Sequence, residues 1–150
     1  MRIAEFIPSE TFESSVSSAK SVCTFPLFVS RISAGFPSPA ETSLEDRLSL
    51  NDLLIEHPAA TFFIRVEGDS MTEAGIFSGD LLVVDRAAPV RHGCVVVAIL
   101  DGEFTVKRLN LRQSRPCLEP ANPAYDVIEI QEEMDFRVWG VVRYAIHHTY

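Results

Sequence analysis

The dipeptide Asp101-Gly102, set between two runs of strand-forming residues at 94–100 and 103–111, constrains this chain's fold more than any other feature. Both residue types tolerate positive φ, so the pair favours a type I′ turn that closes a two-residue β-hairpin. The rest of the C-terminal two-thirds repeats the pattern of short strand and turn. Residues 61–67 alternate, with Phe62, Ile64 and Val66 on one face and Phe63, Arg65 and Glu67 on the other. Residues 81–85 follow a Ser78-Gly79-Asp80 turn, and 127–130 and 136–146 complete the set. One short helix is predicted: Ser49 caps it, Leu50, Leu53 and Leu54 form an i, i+3, i+4 stripe, and Pro58 follows its end. The expected fold is mainly β, a compact, folded-over arrangement of short strands and hairpins with one short helix.

Residues 1–34 read differently. They hold eight Ser and two Thr, lack sustained helical periodicity, and carry too little apolar surface for a core of their own. This segment is expected to be an extended N-terminal arm, with residues 35–150 as the folded domain. Its one apolar patch, Phe25-Pro-Leu-Phe-Val29, is expected to add to a sheet edge as an extra strand. Pro37 and Pro39 then hold the chain extended.

The arm's three basic and three acidic residues cancel, so the net charge of −8 belongs entirely to residues 35–150. Phosphate contacts need Lys and Arg, which argues against direct, specific DNA binding. Cys23, Cys94 and Cys117 are widely spaced and have no Cys or His neighbour at zinc-ligand spacing, so reduced thiols and no metal are expected. The longest apolar run is the segment from Cys94 to Leu100, far short of the roughly 18 residues a membrane span requires. No apolar signal segment follows the basic start. A soluble, cytoplasmic protein without a cofactor is the expectation.

The chemistry centres on Ser70 in Gly68-Asp-Ser-Met71 and Lys107 in Phe104-Thr-Val-Lys-Arg108. A serine hydroxyl needs a base to become a nucleophile, and a desolvated lysine can serve. Gly68 gives the backbone freedom to turn sharply after a strand and present Ser70. If the chain turns helical after Met71, the amides of Asp69 and Ser70 are candidate oxyanion-hole donors. Lys107 shares a strand face with Thr105 and Leu109. A free lysine titrates near 10.4 and a general base works best near about 7–8, so only a well-buried Lys107 fits the role. Each residue has a plainer reading: Ser70 or Asp69 as a turn cap, Lys107 as an edge-strand charge that discourages aggregation. Ala34-Gly35, in the Ser-, Thr- and Pro-rich arm, is the candidate scissile bond.

Histidine-based catalysis has less support. His57, His92, His147 and His148 lack an Asp or Ser at a motif-like spacing and are expected to be surface residues. Asp69, Asp80 and Asp85 flank turns and are expected to cap them or lie in solvent. Glu132, Glu133 and Asp135 form an acidic loop, and Trp139 is expected in the core.

These segments, in order, resemble the UmuD family, the DNA-damage-inducible relatives of the LexA repressor's C-terminal domain. The likeness runs from Ala34-Gly-Phe-Pro-Ser-Pro39 through Asp52-Leu-Leu-Ile-Glu-His-Pro58, Gly68-Asp-Ser-Met71 and Gly79-Asp-Leu-Leu-Val-Val-Asp85. It continues to Asp101-Gly-Glu-Phe-Thr-Val-Lys-Arg-Leu109 and Gly140-Val-Val142. The resemblance implies a LexA-like peptidase fold in which Ser70 is the nucleophile, Lys107 the general base and Ala34-Gly35 the bond cut. It also implies stimulation by the RecA filament on single-stranded DNA. The processed homodimer would then serve an error-prone, UmuC-like Y-family polymerase in translesion synthesis. Two other readings remain open: a non-catalytic regulatory binding module whose arm gates partner access, and a general serine–lysine peptidase of the signal-peptidase type, disfavoured by the missing anchor.

Overall fold

The computed structural model describes residues 23–28, 34–35, 44–112 and 115–149. The rest of the predicted arm, and Pro37 and Pro39, lie outside the described residues. By packing, the described chain forms two units that divide between Leu54 and Ile55.

The N-terminal unit is a two-stranded antiparallel ribbon followed by one helical turn. Strand β1 (Thr24–Phe28) pairs with β2 (Leu44–Ser49) from Thr24↔Ser49 to Phe28↔Leu44. The apolar patch expected to join a sheet edge thus takes its partner from within its own unit. The strand read from 25–29 was recognisable, but its partner β2, with Glu45, Asp46 and Arg47 in sequence, has no β-rich composition to announce it. Arg47 fastens the ribbon, donating from Nε to Thr24 Oγ1 at 2.7 Å and from Nη2 to the Thr24 carbonyl at 2.8 Å. Helix α1 (Leu50–Leu54) begins where predicted, with Ser49 Oγ accepting from the Asp52 amide at 3.3 Å. Its Leu50 and Leu53 are exposed rather than buried.

The second unit is one seven-stranded antiparallel sheet in the order β3-β4-β9-β5-β6-β7-β8. Its strands are β3 (Thr61–Arg65), β4 (Leu81–Asp85), β5 (Val95–Leu100), β6 (Glu103–Asn110), β7 (Cys117–Glu119), β8 (Ile128–Glu129) and β9 (Phe136–Ile146). The expected β-rich class is therefore found. The Asp101-Gly102 turn joins β5 to β6 with Leu100 opposite Glu103. Its residues have φ of +49° and +86°, as a type I′ turn requires.

Neighbouring residues of β5 point to opposite faces, and both faces are buried. Val97 packs with Val66, Met71, Ile76, Leu82 and Val84, while Val96 and Ala98 pack with Leu109 and Leu118. This two-sided burial explains why β4 and β5 read as continuous apolar runs instead of alternating.

Strand β9 is long because it bridges β4 and β5, and it carries an extra residue against each. Arg143 is skipped between the pairs Val83↔Tyr144 and Val84↔Val142, and Trp139 between Val97↔Gly140 and Ala98↔Val138. Such bulges bend a strand and re-aim side chains. Gly140 lies beside the second bulge, where an added Cβ would meet Val84 Cγ1 at 2.6 Å.

Candidate active site

Strand β3 ends at Arg65, and Gly68, at φ +90°, turns the chain out of the sheet. The turn is anchored by Val66, whose amide donates to the Asp80 carbonyl at 2.9 Å and whose carbonyl accepts from Gly79 N at 2.8 Å. Met71, 3% exposed, sinks into the core, and a one-turn 3-10 helix follows at Thr72–Ala74. Ser70, half-buried, is held between these two anchors.

Lys107 arrives from the middle of β6, opposite Val96 of β5. Strand β6 lies between β5 and β7, so the plainer reading of Lys107 as an edge-strand charge does not fit. The side chain is buried, at 8% exposure. Its Nζ lies 2.8 Å from Ser70 Oγ, 3.1 Å from Thr105 Oγ1 and 3.0 Å from the Val106 carbonyl. All three partners are neutral oxygens. Burial lowers the Lys107 pKa from the ordinary lysine range, and among the described residues no anion offsets it.

A neutral amine has two N–H donors and one lone pair. Two donors satisfy Thr105 and Val106, leaving the lone pair aimed at the Ser70 hydroxyl. The charged form instead donates to all three oxygens. The same arrangement therefore accepts either state, and losing the proton turns the third contact from donor to acceptor.

Ser70 and Lys107 open onto a cleft of about 500 Å³ walled by Ile64, Val66, Val97, Phe104 and Trp139. Trp139 meets Phe62 and Phe104 edge-on at centroid separations of 5.2 and 5.9 Å, and Arg86 lies 5.0 Å from its ring centre. Expected in the core, Trp139 packs half-buried against the cluster around Val66, Met71 and Val97, and its free side walls the cleft. Among the described residues, the amides of Asp69 and Ser70 meet no acceptor. The Ala34–Gly35 bond falls on an exposed bend in the connection between β1 and β2. Loop tips of this kind are where chains are most readily cut.

A family model described as peptidase S24-like matches residues 26–143. The chain is 52% identical to protein ImpA of Salmonella typhimurium over 124 residues, 83% of this chain and 84% of that one. The chain belongs to the peptidase S24-like family. Within it the chain is UmuD-like, as the resemblance implied. It is 46% identical to protein MucA of Escherichia coli over 138 residues, 91% of this chain and 92% of that protein. The LexA repressor of Xylella fastidiosa is 41% identical over 111 residues, 74% of this chain and 52% of the repressor.

Not every expectation of this UmuD-like chain holds. His57 is no ordinary surface residue: its Nδ1 lies 2.7 Å from Asp85 Oδ2, and Asp85 is 2% exposed. The hydrogen bond to Asp85 raises the His57 pKa. Burial opposes ionisation of Asp85, but His57 and the amides of Ala87 and Ala88, which donate to its Oδ1, leave its pKa below the usual carboxylate value. The antiparallel pairing of Thr61 with Asp85 brings the two together across 28 residues, a link no local motif announces. Glu56, His57 and Asp85 bring ligand-type atoms within 4.8 Å of one another. Yet His57 and Asp85 already satisfy each other, and Glu56 pairs with Arg143 at 2.9 Å.

Asp80 and Asp85 cap turns, as expected, but both are buried; Asp80 Oδ2 accepts from the Phe77 amide at 2.8 Å. All three cysteines are free, and burial raises the Cys117 thiol pKa. Among the described residues no helix is long and apolar enough to cross a membrane. Sequence reasoning also passed over the loop after β7, where Asn122 and Tyr125 reach Asp69; the local signal available there, an Asn-Pro pair, favours a turn without naming its partner.

Proposed function

We propose that this chain is a self-cleaving serine–lysine endopeptidase of the DNA-damage response, cut at Ala34-Gly35. The observation that carries this reading is the 2.8 Å contact between Lys107 Nζ and Ser70 Oγ, made by a buried lysine whose partners are all neutral. Neutral Lys107 takes the Ser70 proton as Oγ attacks the Ala34 carbonyl carbon. The oxyanion that forms is met by the amides of Asp69 and Ser70. Collapse breaks the Ala34–Gly35 bond, and the Gly35 amine leaves with the proton from Lys107. Water, deprotonated by Lys107, then attacks the Ala34 acyl carbon, and Lys107 returns the proton to Ser70 Oγ as Ala34 is freed.

Cleavage releases arm 1–34 from domain 35–150. The family likeness supports the rest of the reading: the RecA filament on single-stranded DNA promotes the cleavage-competent docking of the cut segment. The product is a cytoplasmic homodimer that acts as accessory subunit to a UmuC-like Y-family polymerase. Incubation with RecA filaments near neutral pH, followed by translesion assays with purified 35–150, tests this. The expected result is RecA-dependent processing, absent in Ser70→Ala, and a dimeric product that stimulates lesion bypass. An uncut chain that nevertheless supports bypass would favour the non-catalytic binding module.

A further inference from the structure

The loop joining β7 to β8, which opens Pro120-Ala-Asn-Pro-Ala-Tyr125, reaches back to the serine turn with three groups. Asn122 Nδ2 donates to the Asp69 carbonyl at 3.0 Å, and the Ala121 amide donates to the Ser70 carbonyl at 2.8 Å. The Tyr125 hydroxyl donates to Asp69 Oδ1. The turn answers through Glu73, whose amide donates to the Ala121 carbonyl at 2.8 Å. One loop thus grips two consecutive peptide carbonyls beside Ser70.

A trans peptide is planar, and its N–H points away from its C=O. Turning the Asp69 carbonyl towards Asn122 therefore turns the Ser70 N–H the opposite way. Gly68, Ser70 and Met71 line the cleft, whereas Asp69 and Asn122 do not. The amide so aimed is one that meets no acceptor among the described residues.

We propose that Asn122 and Tyr125 are positioning residues that hold the Asp69–Ser70 peptide as an oxyanion donor, an inference that rests on the serine–lysine reading. Asn122 suits the task because both ends of its amide are engaged. While Nδ2 holds Asp69, Oδ1 accepts from the Ala124 amide at 2.9 Å and closes a turn on its own loop. Tyr125 holds the side chain of the same residue whose carbonyl Asn122 holds. Its bond to Asp69 raises its pKa, so the hydroxyl holds its donor proton to higher pH than a free tyrosine does.

The decisive variant is Asn122→Asp. It keeps the shape and the acceptor for Ala124, but sets an oxygen against the Asp69 carbonyl in place of a donor. Self-cleavage rates are measured by intact mass from about pH 7 to about 10.5 for wild type, Asn122→Asp, Tyr125→Phe and the double variant, with Ser70→Ala as blank. Removing an oxyanion donor outright costs about 10²–10³-fold. Misaiming one is expected to lower the maximal rate about 10–100-fold in Asn122→Asp, and less in Tyr125→Phe. The double variant should fall short of the product of the two, since both act on one peptide. The midpoint of the pH profile, set by Lys107, and the melting temperature should stay near wild type.

A maximal rate in Asn122→Asp within about twofold of wild type overturns the inference. So does a loss matched by a shifted midpoint or a fallen melting temperature, which a merely structural role would produce. A wild type that never cuts overturns the serine–lysine reading and this inference with it; a cutting wild type with an unaffected variant overturns this inference alone.

Discussion

Thr105→Val removes one oxygen from around Lys107 while keeping the branched shape of the side chain. Thr105 Oγ1 lies 3.1 Å from Nζ, and the remaining partners are Ser70 Oγ and the Val106 carbonyl. The ammonium form loses a charge-assisted hydrogen bond, worth about 1.5–3 kcal/mol, while the neutral amine loses one worth about 0.5–1.5 kcal/mol. The difference, about 1 kcal/mol against the charged form, raises the neutral-to-charged ratio roughly fivefold. The amine also loses a tether that aims its lone pair, so its maximal rate should fall, by up to about tenfold. First-order rates of fragment appearance, followed by intact mass across the alkaline range, separate the two effects. In wild type the rate should climb about tenfold per pH unit and then flatten as Lys107 becomes neutral. In Thr105→Val the flattening should come at lower pH and at a lower ceiling. A midpoint unmoved or moved upward would refute the account of how Lys107 is held.

Three further outcomes follow from other parts of the molecule. Lys107→Met should lose at least about 10²-fold in cleavage, yet be no less stable near neutral pH, because it removes a buried ammonium whose partners among the described residues are all neutral. As the folded pKa of Lys107 is lowered, the unfolded chain binds more protons between the two values, so wild-type stability should rise with pH there and the gap to the variant should close. His57→Gln should lower the melting temperature between the carboxylate range and about pH 6.5, where His57 is charged and Asp85 ionised. The loss should fade as pH rises through the raised pKa of His57 or falls through the lowered pKa of Asp85. Gly140→Ala should cost about 1–3 kcal/mol, as its Cβ would meet Val84 Cγ1 at 2.6 Å and Arg86 Cγ at 3.3 Å. For a domain of this size, thermal melts should fall by about 4–8 °C per kcal/mol.

What could be read from the sequence was what is encoded locally. The Asp101-Gly102 turn, β4 at Leu81–Asp85 and β9 at Phe136–Ile146 lie where their residue types put them. Ser70 and Lys107 were nameable because a sharp Gly-containing turn and an amphipathic strand each have a local signature, and the sheet brings them to hydrogen-bond distance. The bulges at Trp139 and Arg143 escaped, since one extra residue changes which neighbour a side chain meets without disturbing local propensity. Strand β7 spans only Cys117–Glu119 between Pro116 and Pro120, so punctuation hid it. The pairing of β1 with β2, His57 with Asp85, and Asn122 with Asp69 each depends on a partner well outside any local window, from Phe28 opposite Leu44 to Asn122 on Asp69. Nothing within a local window specifies such contacts.

The most direct test of the central claim is the intact mass of the purified chain after incubation near pH 10, beside Ser70→Ala and Lys107→Ala. The account predicts two fragments, 1–34 and 35–150, from the wild type alone. Cleavage that persists in Ser70→Ala, or a wild type that stays whole both there and with RecA filaments, would contradict it.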